Sequence, residues 1–411
     1  MTPEAPVYAI GTLDTKGPEL AFLASNIEQA GGSCVLVDVG TGAAPTIAPG
    51  IPREQVAAFH PGGADAVLSV RDRGQAVTAM GEALARFLAE AHGQGLFSGA
   101  VGLGGTGGTA LISAGLRNLP VGFPKVLVST VASGNTFPYV GTSDITMMNS
   151  IVDIAGLNRV SRSILSAAAG AVLGMARQPE PAASASSRGA TGLTMFGVTT
   201  PCVNAVRAVL ESEGWECLVF HATGTGGQSM EKLARSGMLD LVVDLTTTEV
   251  ADEVVGGVFP AGADRFDYLA EMDIPCVMSL GALDMVNFGA PETVPGKFKG
   301  RLFHRHNANV TLMRTTPEEN RAFAQWMAAK INRSRAPLVL LIPEGGVSLL
   351  DAPGAPFCDR EADQSLFDTL EALVACTPRR VIRRIPHAIN AREFAEAVLA
   401  ACREVTATEQ S

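Results

Sequence analysis

The sequence predicts an α/β protein built of two Rossmann-like subdomains, each a doubly wound, mostly parallel sheet, with a crevice between them. Three observations carry this expectation. Short apolar runs of strand length alternate with longer stretches of helical periodicity, the signature of successive βαβ units. The pattern is interrupted by a Pro-, Ala- and Ser-rich stretch, Arg177–Ala190, and then restarts. At 411 residues the chain exceeds what a single core usually organises, and 47% hydrophobic content provides ample material to bury. The expected division is residues 1–176, a linker over 177–190, and residues 191–411.

In the first half, Val7–Gly11 reads as a strand, Thr12–Gly17 (TLDTKG) as a loop, and Pro18 to about Gln29 as a helix, since proline is favoured in a first turn. Gly31-Gly32 stops that helix and Cys34–Val39 is the next strand. Thr41–Pro52 is a Gly/Pro-rich loop, and Arg73–His92 is a long helix with Val77, Met80, Leu84, Phe87 and Leu88 on one face. The stretch Ala100–Ile112 (AVGLGGTGGTALI) then reads as strand, phosphate-cradling loop and helix. Lys125–Ser129 is a further buried strand, followed by the polar segments Thr130–Thr136 and Tyr139–Asp144 and by helix over Met147–Met175.

The second half repeats this order. Thr194–Val198 is a strand, Val203–Glu213 a helix stopped by Gly214, and Cys217–His221 a strand that runs into ATGTGGQ. Gly40-Thr41-Gly42 is echoed by Gly224-Thr225-Gly226, and Phe123-Pro124 before KVLVS by Ile274-Pro275 before CVMSL, as in a divergent repeat. Asp240–Leu245 leads to Thr246-Thr247-Thr248-Glu249, and Val277–Leu280 leads to GALDMVNFG. His304–Asn309 precedes the strand Val310–Arg314. Thr316 and Glu319 form a capping box for a helix over Pro317–Arg333. Leu338–Ile342, Ser365–Cys376, Val381–Ile385 and Ala391–Ala401 complete the alternation of strand and helix.

A net charge of −10 argues against nucleic acid and anionic membranes as partners. No apolar run approaches the length of a membrane span, and the first residues lack the basic and apolar regions of a signal peptide. Seven cysteines without a CxxC pair fit a reducing compartment, so a cytoplasmic protein is expected.

The candidate chemistry collects at predicted strand ends. Gly102, Gly104 and Gly107 match the spacing of a dinucleotide fingerprint, but the strand that follows ends Val128-Ser129-Thr130, with no acid for a ribose. No GxxxxGK[ST] loop occurs. Gly104, Gly105, Thr106, Gly107, Gly108 and Thr109 are therefore read as a general anion loop at a helix N-terminus. Thr12, Asp14 and Lys16 are expected beside it, Lys16 to neutralise phosphate and Asp14 to hold Mg2+. Ser133, Gly134 and Asn135, with Thr142, Ser143 and Asp144, suit ribose or phosphate; ordinary capping is the alternative for them. In the second half, Thr225, Gly226 and Gly227 repeat the anion-loop logic, with donors from Thr246, Thr247 and Thr248. Glu249 and Asp284 are candidate bases. His304 and His306 offer acid–base or metal-binding imidazoles, and Arg305 and Arg314 a clamp for a carboxylate or phosphate. Asp359, Glu361 and Asp363 read as a solvated helix N-terminus.

GTLDTKG, GLGGTGGT, STVASGNT, GTSDITMMNSIVDIAGLNR, GTGGQ, DLTTTEVADE, GALDMVNFG and HRHNANVTLMRTT occur in one order across nearly the whole chain. This set resembles the ATP-binding region of the plant tomato mosaic virus resistance protein and its uncharacterised bacterial relatives. The resemblance implies a two-subdomain Rossmann-like fold, ATP binding and a homodimer. The resulting expectation is an ATP-binding protein, with Mg2+, acting as an ATP-dependent enzyme on a small acid held between the subdomains. Two alternatives stand beside it: a non-catalytic, ATP-stabilised binding dimer, and a nucleotide-independent enzyme acting on an anionic small molecule.

Overall fold

Apolar runs with alternating side chains can bury both faces of a parallel sheet only if helices cover each face. A computed structural model, which describes residues 5–179 and 188–407, shows this arrangement twice, in two compact units, Met1–Ala182 and Ala183–Ser411. Most of the expected linker, residues 180–187, lies outside the described residues.

Unit 1 holds strands β1 (Val7–Gly11), β2 (Cys34–Asp38), β3 (Gly99–Gly104), β4 (Lys125–Ser129) and β5 (Thr146–Asn149). All are parallel, in the order β2-β1-β3-β4-β5. The longer helices are α1 (Leu13–Gln29), α2 (Arg73–Gly93), α3 (Thr106–Leu116) and α4 (Arg159–Ala176). Strand alternation divides the core. Tyr8 and Ile10 pack with Met80, Leu84, Phe87, Leu111 and Ile112 of α2 and α3. Val7 and Ala9 pack with Leu20, Leu23, Ile27, Leu165 and Val172 of α1 and α4.

Three expectations are corrected here. TLDTKG is not a loop: α1 begins at Leu13, with a kink at Lys16 (φ −125°) ahead of Pro18, which has no N–H to continue an unbroken ladder. Thr106, Gly107 and Gly108 belong to the first turn of α3 rather than preceding it. The helix or helices expected over Met147–Met175 reduce to one, and Met147–Asn149 is strand. Thr146–Asn149 pairs with β4, Val126 opposite Thr146, and the helix starts only where Asn158 and Ser161 form a capping box.

Unit 2 holds β6 (Ala190–Met195), β7 (Glu216–His221), β8 (Leu241–Thr246), β9 (Cys276–Gly281), β10 (Met285–Phe288), β11 (Phe303–Arg305), β12 (Thr311–Arg314), β13 (Leu338–Pro343) and β14 (Arg380–Ile385). Six of these form a parallel sheet in the order β14-β13-β9-β8-β6-β7. The other three form a separate antiparallel sheet, β10-β12-β11, inserted between β9 and β13. Helices α5 (Thr200–Ser212) and α10 (Arg392–Ala407) cover one face through Val203, Val206, Phe394 and Val398. Helices α6 (Thr225–Arg235), α8 (Pro317–Ile331) and α9 (Arg360–Leu373) cover the other through Met230, Phe323, Met327 and Leu366. A short helix, α7 (Thr248–Val255), follows β8. Counted from its own first strand, each unit is wound second-first-third-fourth, so the echoes in sequence correspond to the same topology built twice. Among the described residues no helix is long and apolar enough to cross a membrane.

Candidate functional site

A doubly wound sheet leaves a natural site at the carboxyl ends of the strands where the winding reverses. In unit 1 that point lies between β1 and β3, which brings the α1 start beside the glycine-rich start of α3. Gly105 is the N-cap of α3 and no side chain caps this helix. Among the described residues no carboxylate accepts from its first-turn N–H groups, which with the helix dipole are left to an outside anion. A Cβ placed on Gly107 would meet nothing within 4 Å. On Gly105 it would meet only Thr130 Oγ1, at 3.9 Å, and on Gly108 only Leu103 O, at 3.8 Å. The glycines at 105, 107 and 108 leave space that no protein atom fills. Gly104 differs, since a Cβ there would sit 2.6 Å from Thr109 N.

The neighbouring loops add charged groups. Asp38, at the end of β2, accepts from Leu13 N (3.0 Å) and Gly40 N (2.9 Å), and its other oxygen pairs with Arg53 Nε at 2.7 Å. Arg53 is buried, yet among the described residues its Nη2 has no hydrogen-bond partner. Asp14 Oδ1 is likewise buried without a partner, and Asp14 Oδ2 lies against Gly42, where a Cβ would come within 2.8 Å. Arg53 Nη1 reaches the carbonyl of the same Gly42 at 3.4 Å. An orphaned carboxylate oxygen and an orphaned guanidinium nitrogen thus flank one glycine loop, and such groups are costly to bury without a partner.

Other expected residues of this half are placed differently. Lys16 donates to the carbonyl of Ile154, so its ammonium is committed within the fold. Thr12 Oγ1 lies 2.8 Å from Thr15 Oγ1. Thr109 is fully buried and bonds Ser129 Oγ at 2.6 Å and Gly104 O at 3.2 Å, which removes it from the ligand face. Thr106, Ser133, Gly134 and Asn135 are exposed on the carboxyl side, with Asn135 Oδ1 accepting from Phe137 N. Thr142, Ser143 and Asp144 sit at the opposite end of the sheet. Asp144 pairs with Lys125, the first residue of β4, at 2.8 Å and accepts from Gly122 N. A parallel strand must be entered from the same end as its neighbour, so the segment leading into β5 returns to the amino edge. Ile151, just past β5, is 67% exposed at φ 64°, a strained backbone for a β-branched residue at the carboxyl edge.

The second glycine loop is already filled. Glu249 Oε1 accepts from Gly224 N (2.7 Å) and Gly227 N (3.1 Å) at the start of α6. A Cβ on Gly226 would lie 1.8 Å from His221 O, and one on Gly227 would lie 2.1 Å from Glu249 Oε2. These glycines are required by close packing, so Thr225, Gly226 and Gly227 do not present a vacant anion loop. Glu249 in turn meets Arg265 Nε at 3.1 Å, while Arg265 Nη1 pairs with Glu231 and Nη2 with Asp244, each at 2.7 Å. Burial pushes Glu231 and Glu249 above the usual carboxylate range, and Arg265 pulls them back. Glu249 is therefore a buried partner of Arg265 and of the α6 start rather than a base facing substrate. Thr246 bonds Thr199 Oγ1 (2.8 Å), Thr247 bonds Ser279 O (3.2 Å) and Thr248 accepts from Asn287 Nδ2 (3.3 Å). All three threonines are fully buried.

Asp284 and Arg314 also meet inside the fold. Arg314 donates to Asp363 (2.7 Å) and to the carbonyl of Phe357 (2.6 Å), and reaches Asp351 at 3.5 Å; Ser348 Oγ donates to Asp284 Oδ2 at 2.8 Å. Asp284 Oδ1 has no partner. Burial and mutual repulsion push Asp284 and Asp351 up to about 6 and Asp363 to about 7, against the pull of Arg314. Asp363 is thus buried rather than solvated at the start of α9. His304 is half-buried edge-on to Phe357, with centroids 6.2 Å apart. Arg305 is exposed beside Lys299 and Phe303 along a groove of about 550 Å3. His306 lines a separate cavity of about 260 Å3 together with His221. Among the described residues no three His, Cys, Asp or Glu side chains gather to hold a metal ion.

Several residues escaped the sequence reading. Asp38 ends an apolar strand two elements after a turn, a signal available in CVLVD. His221 similarly ends CLVFH. Arg53, Glu231 and Arg265 carry no local signal, because their partners come from other elements.

Residues 5–181 match the N-terminal domain, and residues 188–406 the C-terminal domain, of the uncharacterised protein family UPF0261. A UPF0261 protein of Rhizobium meliloti (strain 1021) is 58% identical over 399 residues, covering 97% of this chain and 98% of its own. A UPF0261 protein of Clostridium tetani is 45% identical over 95% of this chain and 96% of its own. The ToMV resistance protein Tm-1(GCR237) of Solanum lycopersicum is 44% identical over 97% of this chain, which spans only 56% of that plant protein. A solved UDP-N-acetylglucosamine 2-epimerase of Rickettsia bellii aligns over 99% of this chain and 96% of its own at 8% identity. Its TM-score of 0.23 is too low to carry an argument. The chain belongs to the UPF0261 family.

Proposed function

We propose that this UPF0261 chain binds ATP with Mg2+ at the β1/β3 switch point of unit 1. One contrast carries the reading. Each unit has a glycine-rich helix start at a strand carboxyl end, after the second strand for α6 and after the third for α3; that of α6 is closed by the carboxylate of Glu249, and among the described residues that of α3 accepts no protein anion and has open space around Gly107. The closed one demonstrates what such a turn takes in this fold, and the open one suits a phosphate of comparable charge. Arg53, paired with Asp38 but with Nη2 unbonded among the described residues, and Asp14, with Oδ1 unbonded, flank the Gly42 loop after the adjoining strand β2, and Asp14 would add the single carboxylate that Mg2+ commonly takes beside phosphate oxygens. Bound there, Mg2+ would neutralise phosphate charge and polarise the terminal phosphoryl group. Lys16, anchored on the carbonyl of Ile154, positions the loop after β5 instead of contacting the nucleotide.

The reading extends to a cytoplasmic homodimer that uses ATP on a small acid and binds no nucleic acid. A non-catalytic, ATP-stabilised dimer is a second reading, favoured by one observation: Glu249 and Asp284 are buried in internal networks, leaving the histidines as candidate proton carriers. The virus resistance in the plant protein's name belongs to that longer protein.

Isothermal titration with ATP and Mg2+ tests the site, with a dissociation constant on the order of micromolar expected. Gly107→Glu gives α3 its own carboxylate at a position whose added Cβ meets no atom of a neighbouring segment within 4 Å, so the fold should survive while ATP binding is lost. Unchanged ATP binding in a folded Gly107→Glu protein would sink the assignment. Phosphate release over time with candidate acids then separates an enzyme from a binding dimer.

A further inference from the structure

Unit 2 has its own switch point, between β6 and β8, and a cavity of about 260 Å3 opens at that carboxyl edge. It is lined by Phe196, Gly197 and Val198 after β6, by His221 at the end of β7, and by Phe259. The hairpin joining β11 to β12 closes it with His306 and Val310. The hairpin is held in shape by His306 N and Asn307 N, which both donate to Val310 O, at 3.0 and 3.3 Å. The His221 ring lies 5.4 Å from that of Phe196, tilted by 37°. Among the described residues neither imidazole has a protein hydrogen-bond partner. Two solvent-exposed histidines from distant elements therefore line the mouth of one largely apolar cavity, with no protein partner for either ring.

The chemistry of the lining selects a ligand. The buried polar groups nearby, Thr246 to Thr248 and Glu249, are fully bonded beneath the surface and contribute no donors. Thr223 and Asn307 also line the cavity, but the Thr223 hydroxyl donates to His221 O at 3.3 Å and Asn307 Oδ1 accepts from Asn309 N, so the imidazoles, each with an N–H in either protonation state, and the Asn307 amide N–H groups are the donors left to meet an acid. Phe196, Val198, Phe259, Val310 and Leu312 supply apolar walls for the body of the ligand. The volume lies below the roughly 300–1,000 Å3 of drug-sized pockets, so the ligand is small.

We propose that this cavity binds a small carboxylic acid with an aromatic or branched aliphatic body, its carboxylate held by His221 and His306. The assignment deepens the proposed function by naming the class of acid, and it rests on that reading only for what ATP does to the acid. Binding of the acid itself is independent of it.

The test uses the full chain without nucleotide, titrated with benzoate and with isovalerate and followed by ligand-observed NMR and calorimetry. At least one probe should saturate. Joint His221→Gln and His306→Gln substitution should weaken it by about tenfold or more, the loss of charge-assisted hydrogen bonds. Gly197→Leu fills the cavity from a position whose added Cβ meets no atom within 4 Å, and should abolish binding without changing the melting temperature. ATP binding should survive in both variants. The proposal is overturned if neither probe saturates by about 10 mM, a threshold weaker than specific small-ligand recognition. It is also overturned if Gly197→Leu binds as the natural chain does, or if inorganic phosphate binds more tightly than either probe. Acid binding without any ATP binding would leave the cavity assignment standing and remove the nucleotide reading.

Discussion

Replacing Arg265 with methionine tests the buried network that closes the second glycine loop. The guanidinium is fully buried and bridges Glu231, Asp244 and Glu249 at 2.7, 2.7 and 3.1 Å. Methionine keeps much of the volume but removes the charge. Glu231 retains Arg235 at 3.3 Å, whereas Asp244 and Glu249 lose the cation that faces them. Breaking a buried ion pair from one side typically costs about 3–5 kcal/mol. For domains of this size about 2–4 °C accompanies each kcal/mol, so the melting temperature of unit 2 should fall by roughly 6–20 °C. The assay is intrinsic fluorescence, because both tryptophans, Trp215 and Trp326, lie in unit 2 and Trp326 packs edge-on to Phe266, centroids 5.7 Å apart. The sign of the pH effect follows from burial. Carboxylates stripped of their cation have folded-state pKa values above their unfolded ones, so the folded state binds more protons and gains stability as pH falls. Lowering the pH from 8 to 6 should therefore recover part of the loss in the variant. A drop below about 1 kcal/mol, or a drop indifferent to pH, would refute a role for Arg265 as the charge that balances this cluster.

Further outcomes follow from the other networks. Asp284, Asp351 and Asp363 are held up to about 6, 6 and 7, above the ordinary carboxylate value. Their contribution to stability is greatest on the acid side and is lost as pH rises through about 6 to 7, at up to ~1.4 kcal/mol per pH unit per group. The fluorescence-detected melting temperature should accordingly fall between pH 6 and pH 8, and Asp363→Asn should flatten that slope. Asp14→Ala should weaken ATP binding in Mg2+ and leave Mg2+-free binding nearly unchanged; equal losses in both conditions would exclude Asp14 as the metal ligand. Asp144→Ala removes the carboxylate that faces the buried Lys125 ammonium, which keeps the carbonyls of Pro120 and Phe123, so about 1–3 kcal/mol of stability should be lost while ATP affinity stays constant. A change in ATP affinity there would contradict the placement of Asp144 at the far edge of the sheet.

Much of the fold was legible because its causes are local. Alternating apolar residues in Val7–Gly11 and the Thr316–Glu319 capping box act within a few residues of themselves, and the structure realises both. The first glycine loop was legible as a glycine-rich helix start for the same reason. The errors fall where distant segments decide. Thr146–Asn149 becomes a strand because β4 offers it a pairing edge, and Thr142–Asp144 is carried to the amino edge by the direction in which β5 must be entered. Arg314 reads as an anion clamp and Asp284 as a base, yet segments 30 and 49 residues away along the chain enclose the arginine.

By itself the sequence determined two doubly wound units, their order of strands and helices, and two glycine-rich helix starts of similar composition. It could not distinguish those two starts, because GGTGGT and GTGGQ present the same small residues and the same helix dipole. Only the tertiary structure decided that one is closed and the other open. Glu249, 25 residues beyond Gly224, folds back onto the α6 start and is held there by Arg265, while the α3 start has no such carboxylate. The reason is physical: an anion site is made by what the backbone offers and unmade by which charge the fold brings to it, and the second term is long-range.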